Sequence, residues 1–276
     1  TNDQETFAIY HYRYMNSMYP QLTKEETVEY FDTKSIKTIK NLSYDNNILL
    51  PSKKEIITPN KTIVENIKYV VQDASSWNIE TDQKFFDMVN KNLINNVLST
   101  TNKVENNIVS EIFNDYDDSG KGNIEAIYSK KGGNTSELIS IDNLQISYKY
   151  GVKDKVNQIK TRDDLTISII YGYNDEYPVA KLENVAYASI DASLIQQIQN
   201  TTNEDELLSL FNTLRNNHPQ GLITTYIHIP LVGISKVIDP NGKVINYYYD
   251  EFNRLSRVTD SENNPVTDYE YHYKTL

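Results

Sequence analysis

Short stretches in which apolar or aromatic residues alternate with polar ones recur about every ten to twelve residues along most of this 276-residue chain. Period-2 alternation places one residue type on each side of a pleated backbone, so each stretch predicts a strand with one wet face. The stretches are Phe7–Tyr19 (with Tyr10, Tyr12 and Tyr14 in step), Ser35–Tyr44, Leu49–Thr58, Thr62–Gln72, Asn96–Thr101, Asn107–Asn114, Asn123–Ser129, Leu138–Tyr150 and Leu165–Tyr173. Five more follow near the end: Gly221–Ile229, Gly233–Ile238, Lys243–Asp250, Arg254–Asp260 and Thr267–Lys274. Asp45-Asn46-Asn47 and Pro59-Asn60 punctuate them, since Asn tolerates positive φ and Pro presets φ for a turn. Strands this numerous and this closely spaced exclude a doubly wound α/β fold and predict an antiparallel meander. The polar stretch Gly151–Asp164 reads as a connection.

Helical periodicity interrupts the pattern twice. Thr81 or Asp82 is placed to cap a helix running to about Leu93, with Phe85, Phe86, Val89 and Leu93 on its apolar side. Later, Ser193–Gln199 carries Leu194, Ile195 and Ile198 at helical spacing. Thr202 or Asn203 then caps Glu204–Asn216, whose acidic first turn suits the helix dipole and whose Leu207, Leu208, Leu210, Phe211 and Leu214 make one apolar face. Pro219 and Gly221 stop it.

Composition narrows the function classes. No cysteine is present, which removes disulfide scaffolds, thiol nucleophiles and cysteine-based metal sites. A net charge of −11 argues against a phosphate-binding nucleic-acid surface. No apolar run is long enough for a membrane-spanning helix. The chain opens TNDQETFAIY, without Met or a signal-like segment, and is expected to be a piece of a longer polypeptide. Its 22 Tyr against 7 Phe and 1 Trp point to many half-wet rings.

Those tyrosines gather into a motif near the end. Gly242, then Tyr247-x-Tyr249-Asp250-x-x-Asn253-Arg254-Leu255, then Val258 and Asp260, closely resemble the tyrosine–aspartate (YD) repeat of RHS proteins, with Asn253 standing where the family usually has Gly. Asn is the next-best residue for a left-handed turn position, so the departure is mild. Upstream, Tyr171–Tyr187, the Leu-rich helix and Gly221–Lys243 resemble the C-terminal part of large RHS/YD-repeat proteins of Flavobacterium-like Bacteroidota, and Asn114–Ile127 resembles a degenerate repeat. The resemblance implies a mainly β fold, an antiparallel, spiralling YD-repeat sheet with two short helical insertions. Its expected organisation is a β-rich degenerate repeat region over 1–109 with an insertion near 82–94, YD-like strands over 110–190, a helical insertion over 191–220 and a C-terminal repeat over 221–276. Within that repeat Gly242, Tyr247, Tyr249, Asp250, Asn253, Arg254, Leu255 and Asp260 are expected to serve as structural motif residues.

Other constellations are weaker. Asp115, Asp117, Ser119 and Gly120 match the first half of a calcium loop, but the twelfth position is Ala126 and Glu125 falls one place short, so a turn is expected and the metal signal is slight. Asp239-Pro240-Asn241-Gly242 is similar to the segment at which toxin-type RHS cores cleave themselves; with Lys243 following, an ordinary β-turn is the expectation. The four histidines show no paired metal-ligand spacing. Trp77 and Tyr69 are candidates for a ligand-stacking platform, although aromatics beside a helix start are more often core.

The expectation is therefore a non-enzymatic structural or interaction part of a secreted or cell-surface YD-repeat protein of a Gram-negative bacterium, needing no cofactor. Its expected partners are other parts of the same longer chain or outer-membrane and surface proteins, with no nucleic acid. Two alternatives stand beside it: a wall segment of a toxin-delivery shell, and a glycan-binding or glycan-acting module.

Overall fold

The computed structural model describes residues 21–272, apart from 32, 33, 47, 74–78 and 133–137. Among the described residues most of the alternating stretches form strands, and the order of the strands in space is their order in sequence. β1 (Lys24–Phe31), β2 (Lys34–Tyr44), β3 (Pro51–Ile57) and β4 (Thr62–Tyr69) lead into helix α1 (Ile79–Asn90). β5 (Val97–Val104), β6 (Asn107–Tyr116), β7 (Ile124–Lys131), β8 (Leu144–Tyr150), β9 (Val156–Thr161), β10 (Thr166–Gly172) and β11 (Tyr177–Glu183) follow. Helices α2 (Ala192–Asn200) and α3 (Glu204–Asn217) interrupt before β12 (Leu222–Ile229), β13 (Gly233–Ile238), β14 (Val244–Tyr249), β15 (Leu255–Asp260) and β16 (Pro265–Asp268). Each strand pairs antiparallel with its neighbours in sequence, giving one open 16-stranded sheet among the described residues.

One open sheet has no facing sheet to bury it, so the inserted helices supply the cores. Phe85 and Met88 of α1 pack with Val70, Leu98 and Tyr116. The larger core joins Leu194, Ile195 and Ile198 of α2 and Leu207, Phe211 and Leu214 of α3 to Ile170, Val179, Leu182, Ile223 and Ile227 on β10–β12. The α3 cap is Asn203, whose side chain accepts from Glu206 N, and Asp191 caps α2 through Ser193 N and Leu194 N. A guanidinium ties α3 to the sheet: Arg215 Nη2 donates to Thr225 Oγ1 at 2.9 Å and reaches the carbonyls of Ile223 and Ile238.

Several boundaries differ from expectation, each for a physical reason. α1 begins at Ile79, so Thr81 and Asp82 lie within it rather than before its first turn. β1 (KEETVEYF) reads as charged rather than alternating, and it is the first strand of the sheet among the described residues. Gly151–Asp164 contains β9, whose polar Gln158 is buried and accepts from Tyr187 N at 2.9 Å. β11 is masked by Pro178, which sits at the strand start beside a register shift, a place where proline is tolerated. Leu138–Ile141 precedes β8 without joining it, and the last strand is Pro265–Asp268 rather than Thr267–Lys274. Phe7–Tyr19 lies outside the described residues.

Candidate functional site

Of the two tyrosines expected to mark the repeat, Tyr249 is part of a ladder that runs through the sheet. Seven tyrosines close the open end of a hairpin, donating their hydroxyl to the backbone carbonyl where the preceding odd-numbered strand begins. Tyr44 bonds Leu22 O, Tyr69 bonds Pro51 O, Tyr116 bonds Val97 O and Tyr150 bonds Ile124 O. Tyr171 bonds Val156 O, Tyr249 bonds Ile234 O and Tyr271 bonds Leu255 O, and all seven bonds measure 2.7–3.1 Å. A register shift stands immediately before Tyr44, Tyr69, Tyr116, Tyr150, Tyr171 and Tyr249, in the pairing with the following strand. A bulge of this kind re-aims the next side chain, which turns the ring across the neighbouring backbone. Burial pushes the Tyr69, Tyr116, Tyr150 and Tyr171 hydroxyls above the ordinary tyrosine range, keeping them protonated as donors.

β12 carries the same shift between Ile227 and His228, and there histidine replaces tyrosine. His228 Nε2 lies 2.9 Å from Pro178 O at the start of β11. A carbonyl only accepts, so Nε2 carries the proton. The imidazole stacks on Tyr177 with centroids 5.0 Å apart, and Tyr173 meets it edge-on at 5.9 Å.

The aspartate of the motif works in the opposite direction, holding the turn that follows. Asp250 N donates to Arg254 O and Asn253 N to Asp250 O, while Asp250 Oδ1 accepts from Phe252 N and Arg254 N. Asp239 and Asp260 repeat this network two and four positions on, and the residue three places on is left-handed each time: Gly242 at φ 81°, Asn253 at 59° and Asn263 at 65°. The Arg254 side chain holds Asp250 below the ordinary carboxylate range, and Asn264 does the same for Asp260. Arg254 also lies over the rings of Phe252 and Tyr271, at 5.0 and 4.3 Å. Gly233 makes room for Tyr249: a Cβ there would lie 2.8 Å from the ring Cζ and overlap the hydroxyl.

The expected motif residues thus occupy three successive turns and the strands between them. Gly242 closes the turn before β14, Tyr247 pairs with Val258, Tyr249 and Asp250 act as described, and the Leu255 carbonyl receives Tyr271. The calcium-type segment is engaged in bonds of its own. Asp115 Oδ1 accepts from Lys84 Nζ at 2.6 Å, and Asp117 holds Ser119 and Asn123. Among the described residues no group of three or more His, Asp or Glu is placed to hold a metal ion. Tyr69 is 6% exposed with its hydroxyl engaged, so it offers no stacking face, and Trp77 lies outside the described residues. Sequence reasoning missed Tyr44, Tyr116 and Tyr150 as ladder members, although Tyr44-Asp45 and Tyr116-Asp117 repeat the order of Tyr249-Asp250.

Comparison with known proteins agrees on the same segment. Residues 233–265 match the RHS Repeat family model. No curated protein matches the chain. Among solved structures, the Tc holotoxin pore of Photorhabdus luminescens is similar at 12% identity and a TM-score of 0.49, over 87% of this chain and 10% of that one. A crystal structure of TcdB2-TccC3-TEV is similar at 10% identity and a TM-score of 0.43, over 87% of this chain and 11% of that one. The chain therefore spans about a tenth of the length of these solved chains.

Proposed function

Starting from an RHS repeat at residues 233–265, we propose that the chain is a structural, non-enzymatic segment of a secreted or cell-surface protein. Its sheet packs against other parts of the same polypeptide or against a surface-protein partner. The observation that carries this reading is the ladder. Tyrosine hydroxyls that would otherwise be available to a substrate donate to the chain's own carbonyls at seven hairpins. Side chains used this way build a repeating unit, and a stack of such units presents surface.

The test is site-specific photo-crosslinking in cells that produce the parent protein, with the probe at Val28 on β1 or Val266 on β16, both exposed. The expected products are crosslinks to other regions of the parent chain or to a surface protein, found in the envelope or secreted fraction. Cytoplasmic location with no crosslinked product from either edge refutes the reading, as does turnover of any polysaccharide, peptide or nucleotide by the purified chain. Crosslinks confined to one polypeptide that shields a protease-resistant domain favour the shell-wall form over an envelope accessory.

A further inference from the structure

Charges of both signs meet in a groove on one face of β3, β4 and β5. Glu55 is the register partner of Val64, and Val64 of Lys103, so the three side chains share a face. Two strand spacings put the Glu55 and Lys103 backbones about 10 Å apart, with Val64 as the floor between them. Lys53 and Asn66 stand opposite each other one step along the same face. Glu105 closes the end of the groove from the β5–β6 turn, where its backbone is left-handed at φ 49° and its Oε1 accepts from Thr62 N at 2.6 Å. The space enclosed is about 430 Å³, within the range of small-ligand clefts.

Some of these groups are already engaged and others are not. Asn41 Nδ2 donates to Glu55 Oε2 at 3.0 Å and Lys53 Nζ to Oε1 at 3.1 Å, which holds the Glu55 carboxyl below the ordinary range. Among the described residues the Lys103 ammonium and the Asn66 amide have no hydrogen bond or ion pair, and Glu105 has no partner beyond Thr62 N. We propose that this groove binds a zwitterionic aliphatic α-amino acid. Lys103 Nζ and Asn66 Nδ2 are the donors for its carboxylate, Glu105 Oε2 is the acceptor for its ammonium, and its aliphatic side chain lies on Val64. Charge selects this class over simpler ions. Two lysines and two glutamates line the groove, so a bare anion meets Glu55 and Glu105, and a bare cation meets Lys53 and Lys103. A ligand with both charges on one short frame is opposed by neither set. The site goes beyond the structural role proposed above and does not depend on it.

The experiment titrates the whole chain with L-valine and L-leucine up to about 10 mM, which reaches saturation for a dissociation constant near 1 mM, and follows the Thr62 and Lys103 amide resonances by NMR. Two truncated forms of leucine are titrated beside them: 3-methylbutylamine, which lacks the carboxylate, and 4-methylpentanoate, which lacks the ammonium. The expected result is saturable binding of at least one amino acid, with both truncated forms about tenfold weaker or more. Lys103→Met and Glu105→Gln should each weaken amino-acid binding to a similar extent, the glutamine still offering an oxygen to Thr62 N. Lys54→Met, next along β3 and so on the opposite face, serves as the control that leaves binding intact. The comparison with the truncated forms uses the parent chain and stands whether or not a variant folds. Absence of saturable binding by both amino acids overturns the proposal. So does a truncated form that binds as well as L-leucine, or binding that survives both groove substitutions in variants that melt with the parent.

Discussion

Gly233→Ala is the substitution that most directly probes the ladder. Its added methyl would overlap the Tyr249 hydroxyl and sit 2.8 Å from Cζ, so the ring must leave its seat over the β13 backbone. Leaving breaks the 2.9 Å bond to Ile234 O, about 1 kcal/mol net for a hydrogen bond of this type. It also re-exposes a half-buried ring; taking roughly 100 Å² of apolar area at about 25 cal/mol per Å² gives about 2.5 kcal/mol more. The sum, about 3 to 3.5 kcal/mol, exceeds the roughly 1 kcal/mol expected for Tyr249→Phe, which loses the bond and keeps the packing. Native-state hydrogen exchange is the suitable assay, because a sheet of stacked hairpins opens locally. Protection should fall at β13 and β14 and stay unchanged at β5 and β6. The decisive comparison is Gly233→Ala in a Tyr249→Ala background, where the methyl has no ring to displace and its effect should shrink to a few tenths of a kcal/mol. Equal effects in the two backgrounds, or a Gly233→Ala chain as protected as the parent, would refute the assignment of Tyr249 as the latch of this hairpin.

Four further outcomes follow from the same geometry. The depressed Asp250 and Asp260 contribute stability that is complete above the ordinary aspartate value of about 3.9 and is lost as pH falls below it; in acid titrations followed by melting, the Asp250→Asn, Asp260→Asn double variant should lose less stability over that interval than the parent. Arg215→Met removes the donor shared by Ile223 O, Thr225 Oγ1 and Ile238 O, and should destabilise the α3–β12 region by about 1–3 kcal/mol in urea unfolding. Phe211→Ala empties a fully buried position and should lower stability by about 3–5 kcal/mol, with exchange protection around α1 left intact because the two helix-covered cores are separate. Leu231→Asn should raise stability by roughly 1 kcal/mol on thermal melting, since a leucine 94% exposed at φ 65° gains little from burial and bears left-handed strain.

Legibility in the sequence tracked how local the cause was. The helix starts at Asp191 and Asn203, the turn at Asp250 and the left-handed Asn253 each depend on residues within four positions; Asn203 is one of the two cap candidates the sequence offers, and the Asn253 turn position is legible directly. The ladder joins residues 15 to 26 apart, so a strand-end tyrosine looks like any other half-wet ring until its hairpin is closed. The missed strands failed for the converse reason. β9 hides a buried Gln158 behind a polar sequence, and β11 opens with a proline that only its position makes tolerable.

The strictly sequential order of the sixteen strands among the described residues also bears on how such a chain acquires its shape. Every pairing joins neighbours, so each closure spans one short loop apart from the two that enclose helices, and the entropy of closing it is correspondingly small. No strand waits for a distant partner to be synthesised or delivered, and the contact order stays low for a β protein. A chain of this kind can zip from either end as it emerges from a ribosome or a secretion pore, each finished hairpin templating the next. The same property limits the damage from a nick or an insertion, because the hairpins on either side retain their own closures.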